Sequence, residues 1–264
     1  MNKYFAPIAA AALASFSISA SAVGVFNEFT VNETVVPGAN VFGLANPALV
    51  ADKLNGSYVE RLTVTGPGMF SAQAFATFSA FLKDDGSTAV PSLLGNLEFI
   101  GGYKLYAVFA ASGAITGPNM FQSVNNSFSL YLDSTSDTSA TLTDGLTAPV
   151  LAGNGEDMLL ATAGPLLSFG TGNLNGPPGA FNIDWGNFAL TAAGSSYFVS
   201  PAPFFMNVRV NGDYDVVTTL APGETRNITG DVSAVFQAVP EPTSLALVGL
   251  ALAGLGMIGR RRKI

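Results

Sequence analysis

The sequence predicts an all-β protein, and three observations carry that prediction. Turn dipeptides recur along the chain. Short apolar stretches lie between them, and several of these alternate between apolar and polar residues. Residues 23–238 number 216, which is enough for one large all-β domain with a real core. We expect a β-sandwich-like exported domain, with a closed barrel as the alternative, followed by one C-terminal transmembrane helix. The turn dipeptides are Asn55-Gly56, Asp85-Gly86, Asp144-Gly145, Asn154-Gly155 and Asn211-Gly212.

The clearest predicted strand runs from Phe70 to Leu82, because apolar side chains occupy every second position from one end to the other. Residues 127–133 and 204–210 alternate in the same way. A short helix is expected near Ser92–Leu97. The other predicted strands are Ser57–Thr65, Tyr103–Ala111, Asp157–Ala161, Phe181–Thr191, Tyr197–Val199 and Asp231–Val239.

The first 22 residues have the pattern of a secretory signal peptide. Lys3 supplies a positive start, and the stretch from Phe5 to Ile18 is mostly alanine with larger apolar residues. Ala20 and Ala22 form an A-x-A site, so we expect cleavage before Val23. Residues 23–238 are therefore expected outside the inner membrane.

The last 26 residues, 239–264, form three parts in a fixed order. Pro240, Glu241 and Pro242 come first, and residues 243–259 follow without a charge. As a helix that uncharged stretch would be about 25 Å long, at the short end for a membrane span. The basic tail Arg260, Arg261, Arg262 and Lys263 would keep the C-terminus on the cytoplasmic side.

This order closely resembles the PEP-CTERM sorting signal of Gram-negative bacteria. The resemblance implies export, followed by recognition and cleavage near Pro-Glu-Pro by an exosortase. The partners implied are the exosortase and, before processing, the inner membrane. The final location implied is the cell surface or the extracellular matrix.

Charge and composition exclude several function classes. Residues 23–238 contain six basic and 17 acidic side chains, a formal charge of −11. Such a domain repels nucleic acid, so we expect no nucleic-acid partner. The chain has no cysteine and no histidine, which rules out Ser-His-Asp and Cys-His catalysis and zinc sites of the His/Cys kind.

Paired carboxylates remain as possible catalytic groups. The pairs are Asp84-Asp85, Glu156-Asp157 and Asp213/Asp215. A glycosidase needs two carboxyl groups that flank a cleft, whereas acids in Gly/Asn loops are far more often solvated turn residues. We therefore predict no enzyme and no catalytic residue.

We expect no cofactor, with calcium as the one possibility. Hard oxygen ligands gather in the loops Asn211–Asp215, Asp133–Asp137 and Asn154–Asp157, although a turn without an ion is the favoured interpretation of each. Asp213 and Asp215 are the candidate metal ligands, because they would point to the same side of an extended strand.

Trp185 is the candidate for glycan binding, since an exposed indole could stack on a sugar ring. The favoured alternative is that Trp185 packs in the core with its N–H satisfied. It is the only tryptophan in the chain.

Four further segments resemble the flocculation-associated PEP-CTERM protein family. They are Phe29–Glu33, Ala51–Glu60, Val208–Asp213 and Arg226–Phe236. The resemblance implies a role in floc or biofilm formation through retention of exopolysaccharide at the cell surface. A carbohydrate-binding module and a carbohydrate-active enzyme are the alternatives. An enzyme would need two acids in one cleft, and a binding module would need an exposed aromatic row.

Overall fold

The computed structural model describes residues 26–39, 43–96, 101–117, 120–164, 170–172, 179–214 and 221–237. The described chain is built almost entirely of strands, so the all-β prediction is confirmed. The strands are β1 (Phe29–Val31), β2 (Leu49–Ala51), β3 (Lys53–Gly66), β4 (Met69–Lys83), β5 (Thr88–Val90), β6 (Lys104–Gly117), β7 (Met120–Asp133), β8 (Ser139–Thr141), β9 (Val150–Ala152), β10 (Met158–Ala163), β11 (Gly170–Gly172), β12 (Gly179–Trp185), β13 (Ala189–Leu190), β14 (Phe198–Ser200), β15 (Asn207–Tyr214) and β16 (Thr225–Gln237). A 3-10 helix covers Glu33–Val35, and one α-helix, α1, covers Ala192–Tyr197.

One curled antiparallel sheet of 11 strands dominates the fold. Its order is β11-β12-β15-β16-β3-β4-β6-β7-β10-β13, with β5 paired to β4. The short strand β11 pairs with both β12 and β7, so the ladder returns to itself through eight strands. We call this closed path, formed by β3, β4, β6, β7, β11, β12, β15 and β16, the ring. The two facing halves of the core therefore belong to one sheet.

Alternation in β4 sets the inner face of the ring. Phe70, Ala74 and Phe78 are buried and face inward, as the two-residue period predicts. The prediction is wrong beyond Phe78, where the buried side chain is Phe81 instead of Leu82. The cause is a bulge, because the register of β4 against β3 shifts by one residue between Asn55 and Gly56. One extra residue turns every later side chain to the opposite face.

Aromatic rings fill the interior of the ring. Trp185 lies 5.7 Å from Phe109 and 5.5 Å from Phe128, measured between ring centroids. Tyr58 contacts Phe181 at 5.4 Å, although β3 and β12 are three strands apart. These contacts join strands across the interior, so the inner face is a packed core over this part of the ring.

A smaller sheet, ordered β14-β1-β2, closes one side of the core. Phe29 of β1 contacts the rings of Phe81, Phe198 and Phe236. Glu33 follows β1 and is 0% exposed, yet both of its carboxylate oxygens accept hydrogen bonds. The donors are the backbone N–H groups of residues 46 and 93 and the hydroxyl groups of residues 92 and 103. Four donors offset the desolvation of this carboxylate, so Glu33 fastens the N-terminal segment to the main sheet.

Three local predictions are wrong. The described part of the expected helix near Ser92–Leu97 is irregular, apart from an isolated bridge between Leu94 and Tyr103. Asn55-Gly56 and Asn211-Gly212 lie inside β3 and β15 instead of in turns. A Cβ on Gly56 would lie 1.9 Å from the carbonyl oxygen of Thr77, so here glycine permits close approach of two strands.

Candidate functional site

The outward face of β4, β6 and β7 carries an open groove of about 330 Å³. Strand register aligns Ser71, Ser112 and Asn125 in one row across the three strands. The next row consists of Gln73, Ala110 and Ser127. We call this surface the polar groove. Its lining residues are Ser71, Gln73, Ala110, Ala111, Ser112, Asn125, Asn126, Ser127 and Leu146.

The polar groove has no charged side chain in its lining, although residues 23–238 carry a formal charge of −11. Side-chain amides and hydroxyls make up most of its lining, together with two alanines and Leu146. Amides offer donors and acceptors together, which matches the paired hydroxyl groups of a sugar. Leu146 at the rim is 61% exposed and supplies an apolar contact.

A loop positions Leu146 at the groove. Both Leu146 N–H and Thr147 N–H donate to Asp144, and these bonds hold the pKa of the Asp144 carboxyl below its ordinary value. Ser71 Oγ donates to the carbonyl of Gly145 at 2.5 Å. A Cβ on Gly145 would lie 2.1 Å from the Ser71 carbonyl oxygen, so the loop lies directly against β4.

Three aromatic side chains continue the same outward face beyond the polar groove. Side-chain alternation and strand register place Phe75, Tyr106 and Tyr131 on this face of three neighbouring strands. We call these three residues the aromatic row. Tyr106 and Tyr131 stack with centroids 5.0 Å apart and planes 10° apart. Phe75 lies 5.2 Å from Tyr106. Tyr106 is buried in the middle, while Phe75 and Tyr131 are half-buried.

Next to the aromatic row, Asp133, Glu156 and Asp157 bring carboxylate oxygens within 4.8 Å of one another. We call these three residues the acidic cluster. The cluster joins two of the loops that the sequence analysis considered for calcium. It forms because β7 and β10 are paired, with Leu132 opposite Met158. Residues at the ends of paired strands become neighbours even when 23 residues separate them in sequence.

Asp133 is the fixed member of the acidic cluster. Its side chain is 0% exposed and accepts backbone hydrogen bonds from Thr135, Ser136 and Thr138. Ser136 adopts a φ of 62°, which the left-handed turn around Asp133 requires. Because backbone N–H groups bond both of its oxygens, the Asp133 carboxylate is held in one orientation.

Asp157 is the member of the acidic cluster with hydrogen bonds to only one of its two carboxylate oxygens among the described residues. Its Oδ2 accepts from the hydroxyls of Tyr106 at 2.6 Å and Thr138 at 2.7 Å. Its Oδ1 is buried, and no donor within the described part of the chain reaches it. Desolvation raises the pKa of Asp157, and the charges of Asp133 and Glu156 add to the rise.

The residues predicted from sequence lie elsewhere. Asp213 Oδ1 accepts from the backbone N–H of Asp231 at 2.7 Å, while Asp215 lies outside the described residues. The proposed pairing of these two acids around calcium therefore stays a prediction. Asp84 and Asp85 both have positive φ values, in the turn after β4.

Trp185 is 0% exposed, so its indole cannot stack on a sugar ring in this structure. It occupies the core, which was the favoured alternative. The indole N–H differs from that alternative, because it has no acceptor among the described residues. The polar groove lies on the opposite face of the sheet.

Comparison with known proteins places one motif on the chain. Residues 238–263 match the PEP-CTERM protein-sorting motif. No curated protein and no solved structure matches the chain. The match covers Pro240, Glu241, Pro242 and the basic tail. These residues, the expected span 243–259 and the expected signal peptide 1–22 lie outside the described residues.

Within the described part of the chain, no helix has both the length and the apolar character needed to cross a membrane. The conclusion about targeting therefore depends on the sorting motif. It implies processing by an exosortase at the membrane and export across the inner membrane. The chain carries a PEP-CTERM sorting motif and is an exosortase-targeted surface protein.

Proposed function

We propose that this protein promotes floc or biofilm formation by retaining exopolysaccharide at the surface of a Gram-negative cell, without catalysis. The observation that supports a saccharide partner is the polar groove. Its uncharged amides and hydroxyls suit a neutral glycan segment. Phe75 and Tyr131, which are half-buried in the aromatic row, extend this surface beyond the polar groove.

The arrangement of the acids among the described residues also favours binding over catalysis. Histidine and cysteine do not occur in the chain, so catalysis would depend on carboxylates. In the acidic cluster the carboxylate oxygens lie within 4.8 Å of one another. The cluster lies beyond the aromatic row and does not line the polar groove. An acid pair that acted on a glycan would have to flank the groove that binds it.

Calcium is a second part of the proposal, and the acidic cluster is favoured over Asp213 and Asp215. The specific observation is the buried Oδ1 of Asp157, which lacks a donor among the described residues beside two more carboxylates. Oxygen ligands of this kind suit a calcium ion. Its charge would offset the repulsion among the three acids.

A deletion strain tests the retention role. Cells without this chain should secrete a normal amount of polysaccharide but release it into the medium and stop aggregating. Complementation with Gln73→Ala plus Ser127→Ala should fail to restore retention, because both side chains line the polar groove. Complementation with Asn227→Ala is the matched control, since Asn227 is an exposed amide outside that groove.

Two outcomes separate the parts of this proposal. Normal retention by the deletion strain would overturn the retention role itself. Full rescue by the groove variant, with surface levels equal to wild type, would leave the retention role standing and remove the polar groove from it.

A further inference from the structure

Asn154 and Gly155 lie in the middle of the loop that joins β9 to β10. Both residues are exposed, and neither forms a hydrogen bond with another described residue. A Cβ added to Gly155 would meet nothing within 4 Å, and the φ of this glycine lies outside the left-handed region. The backbone nitrogen of Gly155 is therefore open to approach, with no acceptor in the described part of the chain.

The loop is fixed on either side of this pair. A Cβ on Gly153 would lie 2.7 Å from the carbonyl oxygen of Asp137, so the chain before the pair packs closely against its neighbour. After the pair, the Glu156 carboxylate accepts a hydrogen bond from the Thr135 hydroxyl. Freedom of the main chain is therefore confined to the two residues between these anchors.

An asparagine followed by an open glycine nitrogen can lose its side-chain amide without an enzyme. The Gly155 nitrogen attacks Cγ of Asn154, a new C–N bond closes a five-membered imide, and the bond from Cγ to Nδ2 breaks as ammonia leaves. Water then opens the imide at either carbonyl and leaves an aspartate or an isoaspartate. Glycine favours the attack because no Cβ shields its nitrogen. The net reaction consumes one water and releases one ammonia, without oxidation or reduction.

The fold holds two other Asn-Gly pairs in strands that are paired on both sides. Asn55-Gly56 lies in β3 between β4 and β16, and Asn211-Gly212 lies in β15 between β12 and β16. Pairing keeps the backbone extended, so the glycine nitrogen reaches the side chain only after local opening of the sheet. A fourth pair, Asn175-Gly176, lies outside the described residues.

The two Asp-Gly pairs, which could form the same imide with loss of water, are also held. The N–H of Gly86 donates to the Asp52 carboxylate, and the N–H of Gly145 donates to the Thr63 hydroxyl. Among the Asn-Gly and Asp-Gly pairs that the structure describes, Asn154-Gly155 is thus the one with an open glycine nitrogen.

We propose that Asn154 is a site of spontaneous covalent modification, at which the folded protein exchanges a side-chain amide for a carboxylate. The product makes the formal charge of residues 23–238 one unit more negative and places the new charge two residues before Glu156 of the acidic cluster. Because only water is consumed, conversion increases with the age of the chain at the cell surface. This inference depends neither on the retention role nor on calcium.

The test is peptide mapping by mass spectrometry after incubation of the surface-extracted protein at pH 8. Aspartate and isoaspartate are assigned separately at residues 55, 154 and 211. Residue 154 should convert at least about tenfold faster than the other two, since reaction in the strands requires local opening. In urea-unfolded protein the three rates should be similar, because each asparagine then precedes a glycine in an open chain. Similar rates at the three positions in the folded protein overturn the proposal, as does the lack of conversion at residue 154.

Gly155→Ala separates this chemistry from a structural role. The added Cβ has room, so the Tm should stay at the wild-type value, while the methyl group shields the nitrogen and should slow conversion at residue 154. Gly66→Ala is the matched control, because a Cβ there meets only ordinary contacts at 3.9 Å or more, and it should leave that rate unchanged. A wild-type rate of conversion in Gly155→Ala would contradict attack by the Gly155 nitrogen.

Discussion

The phenolic oxygen of Tyr106 lies 2.6 Å from Oδ2 of Asp157, and this hydrogen bond joins the aromatic row to the acidic cluster. Desolvation raises the pKa of Tyr106, and the bond to Asp157 adds to the rise, so the phenol remains the donor. The outward face of β6 and the loop before β10 are therefore coupled through one short contact.

Replacing Tyr106 by phenylalanine should lower the free energy of unfolding by about 1–3 kcal/mol, since Asp157 would lose one of its two donors in a partly desolvated place. Urea denaturation measures the loss. Tyr131→Phe is the control, because the Tyr131 hydroxyl has no hydrogen-bond partner among the described residues. Equal losses in the two variants would show that the contact to Asp157 contributes nothing specific.

Millimolar CaCl2 should raise the Tm of the wild type by more than NaCl at matched ionic strength, because the calcium site proposed in the acidic cluster would add binding energy to ordinary screening. Asp157→Asn should abolish the excess, since it removes one charged ligand. Asp213→Asn should preserve it. The same Tm shift in both salts would reduce the effect to screening.

Glu60 lies in β3, where desolvation raises the pKa of its carboxyl group, and it makes the protein less stable as the pH rises. Its folded-state pKa of about 7 exceeds the ordinary value of 4.5, so its contribution is fully present below pH 4.5 and is lost as the pH rises through 7. Glu60→Gln should match the wild type at pH 5 and exceed it at pH 8 by at most roughly 3 kcal/mol. Partial exposure of the side chain reduces that gain.

Denaturation curves at pH 5 and pH 8 measure this difference. Asp52 and Asp157 also have raised pKa values from desolvation, so the wild type alone cannot isolate Glu60. Glu28→Gln should follow the wild type at both pH values. A constant gap between Glu60→Gln and the wild type from pH 5 to pH 8 contradicts the prediction.

The surface-extracted protein should lack both terminal signals. Its intact mass should show the loss of 22 N-terminal residues, from cleavage before Val23, and of the span after Pro240-Glu241-Pro242. Deletion of Arg260–Lys263 should impair retention of the C-terminal span in the membrane before processing. Recovery of most molecules with Ile264 still in place would defeat the exosortase step.

The sequence alone predicted the all-β class and most long strands, because alternation and turn residues are local signals. Phe81 shows where this reasoning fails. A bulge near Gly56 depends on how two strands approach each other, and neither strand reveals it alone. The prediction therefore assigned Leu82 to a face that the structure gives to Phe81.

Prediction of the sites requires the strand order even more than prediction of the strands does. Alternation along β4 puts Gln73 on the face opposite to Phe70 and Ala74, but the row with Ser127 exists only because β6 lies between β4 and β7. In the sequence, Asp133 and Asp157 belong to two separate loops. The β8–β9 hairpin separates them in sequence, and only the pairing of β7 with β10 brings them together.

The three-residue strand β11 closes the ring, and this closure determines which strand edges of the described sheets stay open. The outermost strands of the described sheets are very short, with two or three residues each, namely β2, β5, β8, β9, β13 and β14. Long open edges recruit strands from other molecules and lead to polymerisation, whereas short ones do not. Copies of this surface protein can therefore lie side by side without joining edge to edge through the described strands. Under the retention role proposed above, cohesion between cells would then depend on the bound polysaccharide, and it would be reversible when that polysaccharide is withdrawn.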